Sequence, residues 1–265
     1  MLALPAAGSG IVAVVDPLAG QGADGESAAS SRSWLAQGAA ELEPLRFARR
    51  EGRALRRRFG SACQILEGRE AAEGEVKARL PGSGLVHFAT HALVDSRSPE
   101  RSAVILARGG DDDGLLEAPE IAALGLRGPL VVLSTCESAA GPLLRGEGAM
   151  SLARAFFRGG ARTVVASLWP LRDREAAELF DGFYRHLRRG ASVSGALRAA
   201  QRDRVRAGAP AKAWAGLTVL GDGSWVPVPA GSLTDPRRRW GVLAAAALGL
   251  GVVLLWLARR ARHKA

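Results

Sequence analysis

Two polar residues close two apolar runs. Cys136 ends Leu130-Val-Val-Leu-Ser-Thr-Cys136, and His91 ends Leu85-Val-His-Phe-Ala-Thr-His91. A thiol and an imidazole are the two groups from which a cysteine nucleophile and its general base are assembled, provided they come within hydrogen-bond reach. Short, near-continuous apolar runs mark parallel strands buried on both faces. In open parallel sheets, ligands sit at the carboxyl ends of the strands. If the two runs are neighbouring strands, His91 and Cys136 leave the sheet by the same edge and form a Cys–His dyad. Spacing alone is a weak signal, because free cysteines are often buried and a strand-end histidine is commonly structural. His87 lies on the same face of its run as His91 but deeper, and is expected to be structural.

Those runs must be held by a scaffold, and the rest of the chain supplies one. Ile11-Val-Ala-Val-Val15 followed by Asp16-Pro17 reads as a buried strand ended by a turn. Positions 41–59 carry Leu42, Leu45, Phe47, Ala48, Leu55 and Phe59 at roughly helical spacing among arginines, which predicts an amphipathic helix with a solvated basic face. Further strands are expected over 62–66, 163–168 and 215–220, and helices over 71–80, 118–124, 146–157, 174–188 and 192–207. Residues 102–107 and 114–116, on either side of Asp111-Asp-Asp-Gly114, read as a hairpin. The three aspartates lack the loop spacing of a calcium site, so no metal is assigned. Strands alternating with helices predict an α/β protein around a mostly parallel sheet.

Composition narrows the class. Of the 265 residues, 48% are apolar, enough for a sizeable core. The formal net charge is +10, but seven Lys/Arg against one Asp after position 234 place +6 of it at the C-terminal end. The remainder is too dilute to predict nucleic-acid binding. The chain has 2 cysteines, Cys63 and Cys136, which do not make a disulfide framework and fit a reducing compartment. No Gly-x-Gly-x-x-Gly or phosphate-loop pattern occurs, so a nucleotide-binding reading fares badly and no cofactor is expected.

The ends differ in kind. The N-terminus has neither a basic start nor an apolar run of signal-peptide length. Near the C-terminus, residues 240–258 hold no charge, carry Trp240 and Trp256 near their two ends, and are flanked by basic clusters on both sides. As a helix this stretch would be about 28 Å long, roughly one hydrocarbon thickness. It is expected to be a single transmembrane helix, after a Pro/Gly/Arg linker over 224–239 and before a basic tail over 259–265. Basic residues on both flanks leave its orientation open, and a cytoplasmic soluble domain over 1–223 is the simplest topology.

His87-Phe-Ala-Thr-His91-Ala, Leu133-Ser-Thr-Cys136-Glu-Ser-Ala-Ala-Gly141, Gly146-Glu-Gly148, Phe156-Phe-Arg-Gly-Gly-Ala161, Ser167-Leu-Trp-Pro170 and Trp214-Ala-Gly-Leu-Thr-Val-Leu-Gly221 occur in order. Together they resemble the CHAT domain family, caspase-like cysteine peptidases related to separases and often attached to tetratricopeptide repeats. The resemblance covers about 11–223 and implies a caspase-like α/β/α sandwich. The 45-residue interval between His91 and Cys136 is near the roughly 50 residues seen in caspases.

By that resemblance His91 is the general base and Cys136 the nucleophile. The backbone N–H groups of Cys136 and of Ala92 would bind the oxyanion. Many caspase-like enzymes have Gly after the histidine where this chain has Ala92. Substrate choice in such enzymes follows charge in the first substrate pocket, for which Asp173 and Asp16 are candidates. A carboxylate there would favour Arg or Lys before the scissile bond. An equal alternative for Asp173 is capping of the helix that begins near Arg174.

The expected activity is therefore that of a membrane-anchored cysteine endopeptidase acting on protein or peptide substrates. The alternative is a silent CHAT-like interaction module tethered to the membrane. No tetratricopeptide repeat lies within these residues, so a separate regulatory or repeat-containing protein is expected to supply recognition.

Overall fold

A computed structural model describes residues 8–18, 45–95, 98–134, 136–139, 147–169 and 171–228; for 136–139 and 147–149 it describes the backbone alone. Five strands that sequence marks as apolar form the heart of it: β1 (Ile11–Val15), β2 (Cys63–Glu67), β3 (Leu85–Ala89), β7 (Leu130–Leu133) and β9 (Thr163–Ser167). With β10 (Leu217–Gly221) they make a six-stranded sheet in the order β10-β9-β7-β3-β1-β2. Every pairing is parallel except that of β10 with β9. The fold is thus α/β with a mostly parallel central sheet.

Four of the five parallel strands, β1, β3, β7 and β9, are buried at every position, as expected of a sheet covered on both faces. On one face Val12, Val14, Val86, Phe88, Val131, Leu133 and Val164 pack with residues of three helices. These are α2 (Glu73–Arg79), α3 (Ala118–Ala123) and α4 (Glu147–Arg158), which contribute Val76, Ile121, Leu152 and Phe156. Each such side chain taken from water adds about 1.5–3 kcal/mol. On the other face α1 (Ala48–Phe59) lies against β1, β2 and β3 and touches α5 (Asp173–Arg188), which in turn packs on α6 (Val193–Arg206). The arginines at 49, 50, 53, 56 and 57 on α1 are exposed, as the helical spacing predicts.

A second sheet of four strands, β6-β5-β4-β8, adjoins the first in sequence. It contains β4 (His91–Val94), β5 (Ala103–Ile105), β6 (Leu115–Glu117) and β8 (Cys136–Ala139). The expected hairpin is β5–β6, antiparallel with Val104 opposite Leu116. Its turn is tied down by Lys77, which reaches Glu73, Asp112 and Glu120 at 2.5, 3.1 and 2.8 Å.

This second sheet corrects the sequence reading. The run 85–91 is two strands rather than one, and so is the run 130–136. The physical reason is that the residues between them bond away from the ladder. Thr90 is fully buried and its Oγ1 donates to the carbonyl of Ile105 at 2.7 Å. Ser134 adds one last rung through its N–H to Phe88 O at 2.9 Å, and its hydroxyl turns away to Glu51 Oε1 at 3.1 Å. His87 and His91 therefore belong to different sheets.

Smaller differences concern edges. Helix α1 begins at Ala48, after a turn at 46–47, and residues 41–44 lie outside the described residues. The first residues of the stretch read as a linker lie against the domain. Trp225 O accepts the N–H of Val193 at 3.0 Å, Arg162 stacks 4.9 Å over the Trp225 ring, and Val228 is buried. Among the described residues no helix is long and apolar enough to cross a membrane. The stretch 240–258 and the tail 259–265 lie outside them, as does the Gly/Ala/Ser-rich segment at 19–33.

Candidate active site

The two candidate catalytic residues are the first residues of two adjacent strands. β4 and β8 run parallel, and His91 is the register partner of Cys136. Neighbouring strands lie about 4.8 Å apart, so the two Cα atoms are side by side. The same offset of 45 residues pairs Leu85 with Leu130 in the main sheet and His91 with Cys136 in the second. Pairing of the two chains stops after Phe88 and Leu133 and resumes at His91 and Cys136 in the same register. The interval visible in the sequence is thus the register offset of two parallel strand pairs.

His91 is 7% exposed and Ala92 is fully buried. Ala92 pairs with Val104 of β5 on one side and with Glu137 of β8 on the other. The neighbouring wall is acidic. Asp16 follows β1 with a left-handed φ of 42°, a conformation that a short polar side chain tolerates better than most. Its N–H donates to Ala89 O at 3.0 Å, and its carbonyl accepts the N–H of Gly68 at 3.3 Å. Its carboxylate is taken by Arg49 Nε at 3.2 Å. Asp173 is the first residue of α5, behind Arg172 at the N-cap position. Its Oδ2 accepts the N–H of Phe47 at 2.6 Å, so it ties the entry of α1 to the start of α5. Burial raises the Asp173 carboxyl above its ordinary range, the Phe47 N–H lowers it, the charge of Asp16 raises it and that of His91 lowers it. The structure therefore brings His91, Asp16 and Asp173 into one electrostatic neighbourhood.

Beside them lies a recess of about 10 Å³ lined by Glu51, Ser134, Ser167, Leu171, Asp173 and Phe180. That is room for one water. Glu51 is the residue the sequence reading passes over. It sits among six arginines of α1 yet is 4% exposed. Helical spacing held the clue: 48, 51, 55 and 59 fall on one face, so Glu51 points where Ala48, Leu55 and Phe59 point. There it meets His87, with Oε2 2.9 Å from Nε2 but out of line for a directional hydrogen bond. Tyr184 OH bonds the other imidazole nitrogen of His87 at 2.7 Å, and the Phe180 and Tyr184 rings meet His87 edge-on at 5.6 and 5.5 Å. Burial pushes the Glu51 carboxyl up, against the lowering effect of His87 and Ser134. Burial likewise keeps the Tyr184 phenol protonated. His87 is thus held on both sides in the core, in keeping with a structural role.

The second cysteine behaves differently from a nucleophile. Cys63 is fully buried at the start of β2, and burial pushes its thiol up to about 11, only partly offset by Arg56. A thiol in such surroundings stays protonated and inert. Among the described residues no cluster of His, Cys, Asp and Glu has the makings of a metal site.

Comparison with known proteins follows the same lines. Residues 12–222 match the family model described as CHAT domain, and the chain belongs to the CHAT domain family. It is 28% identical over 194 residues to tetratricopeptide repeat protein 28 of Mus musculus, over 60% of this chain and 8% of that protein. Against the Homo sapiens protein of the same name the identity is 27% over the same shares. The chain therefore spans about 8% of the length of the curated relatives it matches. Among solved structures it is similar to the Arg-specific cysteine proteinase gingipain R, at 12% identity over 82% of this chain and 46% of that one, with a TM-score of 0.45. Separase in the Saccharomyces cerevisiae separase–securin complex matches at 15% identity over 80% of this chain and 12% of that one, with a TM-score of 0.45.

Proposed function

We propose that this chain is a cysteine endopeptidase of CHAT type, with Cys136 as nucleophile and His91 as general base. The observation that carries this reading is the register pairing of His91 with Cys136 at the head of two parallel strands. Proximity of a thiol and an imidazole is the first requirement of nucleophilic catalysis. His91 takes or holds the thiol proton, and the thiolate attacks a peptide carbonyl. The oxyanion that forms is received by backbone N–H groups at Cys136 and Ala92. The same imidazole then hands its proton to the departing amine, and water releases the acyl group.

Specificity is proposed for Arg or Lys before the scissile bond. Asp173 supports it, because its carboxylate lies at the recess within electrostatic range of His91. Asp16 is the weaker candidate, since a substrate guanidinium would have to displace Arg49 from it. Membrane anchoring by residues 240–258, with the peptidase domain on the cytoplasmic side, remains part of the proposal on the sequence pattern. Relatives named for tetratricopeptide repeats support a protein partner that presents the substrate.

The test has two arms. Alkylation of Cys136 by iodoacetamide is expected to be fast near neutral pH and to depend on His91. A peptide-library digest with the wild type is expected to show cleavage, absent with Cys136→Ala. If Cys136 reacts no faster than an ordinary thiol and His91→Ala changes nothing, the silent interaction module is the better reading.

A further inference from the structure

Glu51 touches both strands that lead into the site. Its Oε2 lies 2.9 Å from His87 Nε2 on β3, four residues before His91. Its Oε1 accepts the hydroxyl of Ser134 at 3.1 Å, two residues before Cys136. The far side of His87 is fixed by Tyr184 of α5 at 2.7 Å. Glu51, His87 and Tyr184 are all nearly or fully buried. Asp173 at the head of α5 faces the same carboxylate at electrostatic range, and Cys63 of β2 faces Tyr184 in the same way. A buried ionisable pair is not an efficient source of stability, because apolar side chains of the same volume fill such a space at least as well. What it supplies is a link, since one carboxylate takes a hydrogen bond from Ser134 with one oxygen and lies in ion-pair contact with His87 through the other.

The place where this happens matters. Thr90, three residues after His87, breaks one run, Ser134 itself lies in the break between Leu133 and Cys136, and both chains then resume together. Register across a break is not protected by a continuous ladder, and a slip of one residue would separate His91 from Cys136. We propose that Glu51 is a positioning residue that clamps the β3–β4 and β7–β8 chains together at their breaks, so that His91 and Cys136 stay paired. One carboxylate from a helix on the sheet's face would then set the geometry of both catalytic partners without touching substrate. The functional half of this inference rests on His91 and Cys136 being the catalytic pair, and the mechanical half does not.

The test uses the full chain and three variants: Glu51→Leu, Glu51→Gln and Ser134→Ala. Leu removes both contacts. Gln keeps the shape, with an amide oxygen for Ser134 and an amide N–H for His87. Ser134→Ala releases the Cys136 side alone. Iodoacetamide labelling read by mass spectrometry follows each cysteine separately, and Cys63 reports on folding, since its buried thiol labels only if the core opens.

With the clamp as described, Glu51→Leu and Ser134→Ala slow labelling of Cys136 by about 10- to 100-fold at pH 7, the scale expected of a misplacement near 1 Å. Glu51→Gln returns toward the wild type, and Cys63 stays unlabelled throughout. Amide hydrogen exchange gives the second readout. Ser134→Ala accelerates exchange in 136–139 alone, whereas Glu51→Leu accelerates it in 91–94 as well. If Glu51→Leu does not fold, Ser134→Ala against Glu51→Gln decides. Wild-type labelling rates and unchanged exchange in both segments of Ser134→Ala and of any folded Glu51 variant would overturn the clamp. Should wild-type Cys136 prove unreactive, the peptidase reading fails, and exchange alone still settles whether Glu51 ties the strands.

Discussion

The main sheet and the smaller sheet beside it are built by the same two stretches of chain, yet they follow different rules. In the main sheet β3 and β7 are apolar and buried at nearly every position, and their pairing is flanked on both sides by further parallel strands. In the smaller sheet β4 and β8 begin with His91 and Cys136, and β8 forms an edge. The first sheet gains its stability from area removed from water. The second inherits its register from the first across a pair of breaks. The difference teaches that a site can be placed on strands that are not themselves the strongest part of a fold, provided the offset is set upstream.

The two histidines are the sharpest way to break this comparison. His91→Ala is expected to lower Cys136 alkylation near pH 7 by about 100-fold or more, because the thiol loses its base. Its melting temperature should stay near that of the wild type, since His91 lies outside the apolar core cluster. His87→Ala should do the reverse in order of cause. It leaves the Glu51 carboxylate and the Tyr184 hydroxyl buried without their partner, a change that costs about 3–5 kcal/mol. Urea unfolding measures it. A His87→Ala protein as stable as the wild type would mean that the two sheets share their load.

How much of this was legible follows the same division. Strands β1, β3, β7 and β9 announce themselves by near-continuous apolar runs, and the helices by their spacing, because burial on two faces and on one stripe leave those marks. His91 and Cys136 were legible as candidates, and their motifs carried the family. The break at Thr90 was not. Thr90 differs from a β-branched apolar residue of the same shape by little more than its hydroxyl, and its choice of the Ile105 carbonyl depends on where β5 arrives in space. Glu51 was legible in principle from helical phase, but six arginines in α1 drew the reading toward a solvated face. Asp173 was read as either a cap or a pocket wall. Its bond to Phe47 N–H joins residues 126 apart, which no local pattern encodes.

Core packing sharpens the contrast at the next level. Phe88 lies fully buried against Phe156, with ring centroids 5.6 Å apart. Phe88→Ala should cost about 3–5 kcal/mol by leaving a cavity in the main sheet's core. The smaller sheet shares that core through Ala92, Val104 and Leu116, and its hairpin turn adds an ionic dependence. Lys77 serves three carboxylates, one of which, Glu73, is 2% exposed and also accepts Gly114 N–H at 2.9 Å. Lys77→Met strands that carboxylate at the hairpin turn and is expected to cost about 3 kcal/mol. Thermal unfolding monitored by circular dichroism compares the two, and salt should leave the loss for Phe88→Ala unchanged but reduce the wild type's advantage over Lys77→Met.

The pH dependence of stability tests the buried pair that joins the two regions. Burial holds the folded-state Glu51 carboxyl above its ordinary 4.5, so the folded protein binds that proton more tightly than the unfolded chain does. For this group alone, stability is greatest below the unfolded value and falls as pH rises, until the folded-state value is passed. Glu51→Gln lacks the group. Its stability relative to the wild type should therefore rise between about pH 4.5 and the folded-state value, and be flat on either side. Urea titrations across that range give the slope. A wild type that gains on Glu51→Gln as pH rises would mean that pairing with His87 outweighs burial.

The smallest expected effect falls in the smaller sheet itself. Ile105 packs with Leu93 there, beside the partly buried Leu18 and Leu115, and its carbonyl takes the Thr90 hydroxyl at the break. Ile105→Val removes one methylene and leaves that carbonyl in place, so stability should drop by only about 0.5–1.5 kcal/mol. Cys136 alkylation should hardly change, because the register of β4 with β8 is set across the breaks and not by the size of this cluster. A loss of reactivity out of proportion to the loss of stability would instead make the packing of β5 against β4 a determinant of the site, and the smaller sheet would no longer be a passenger of the larger one.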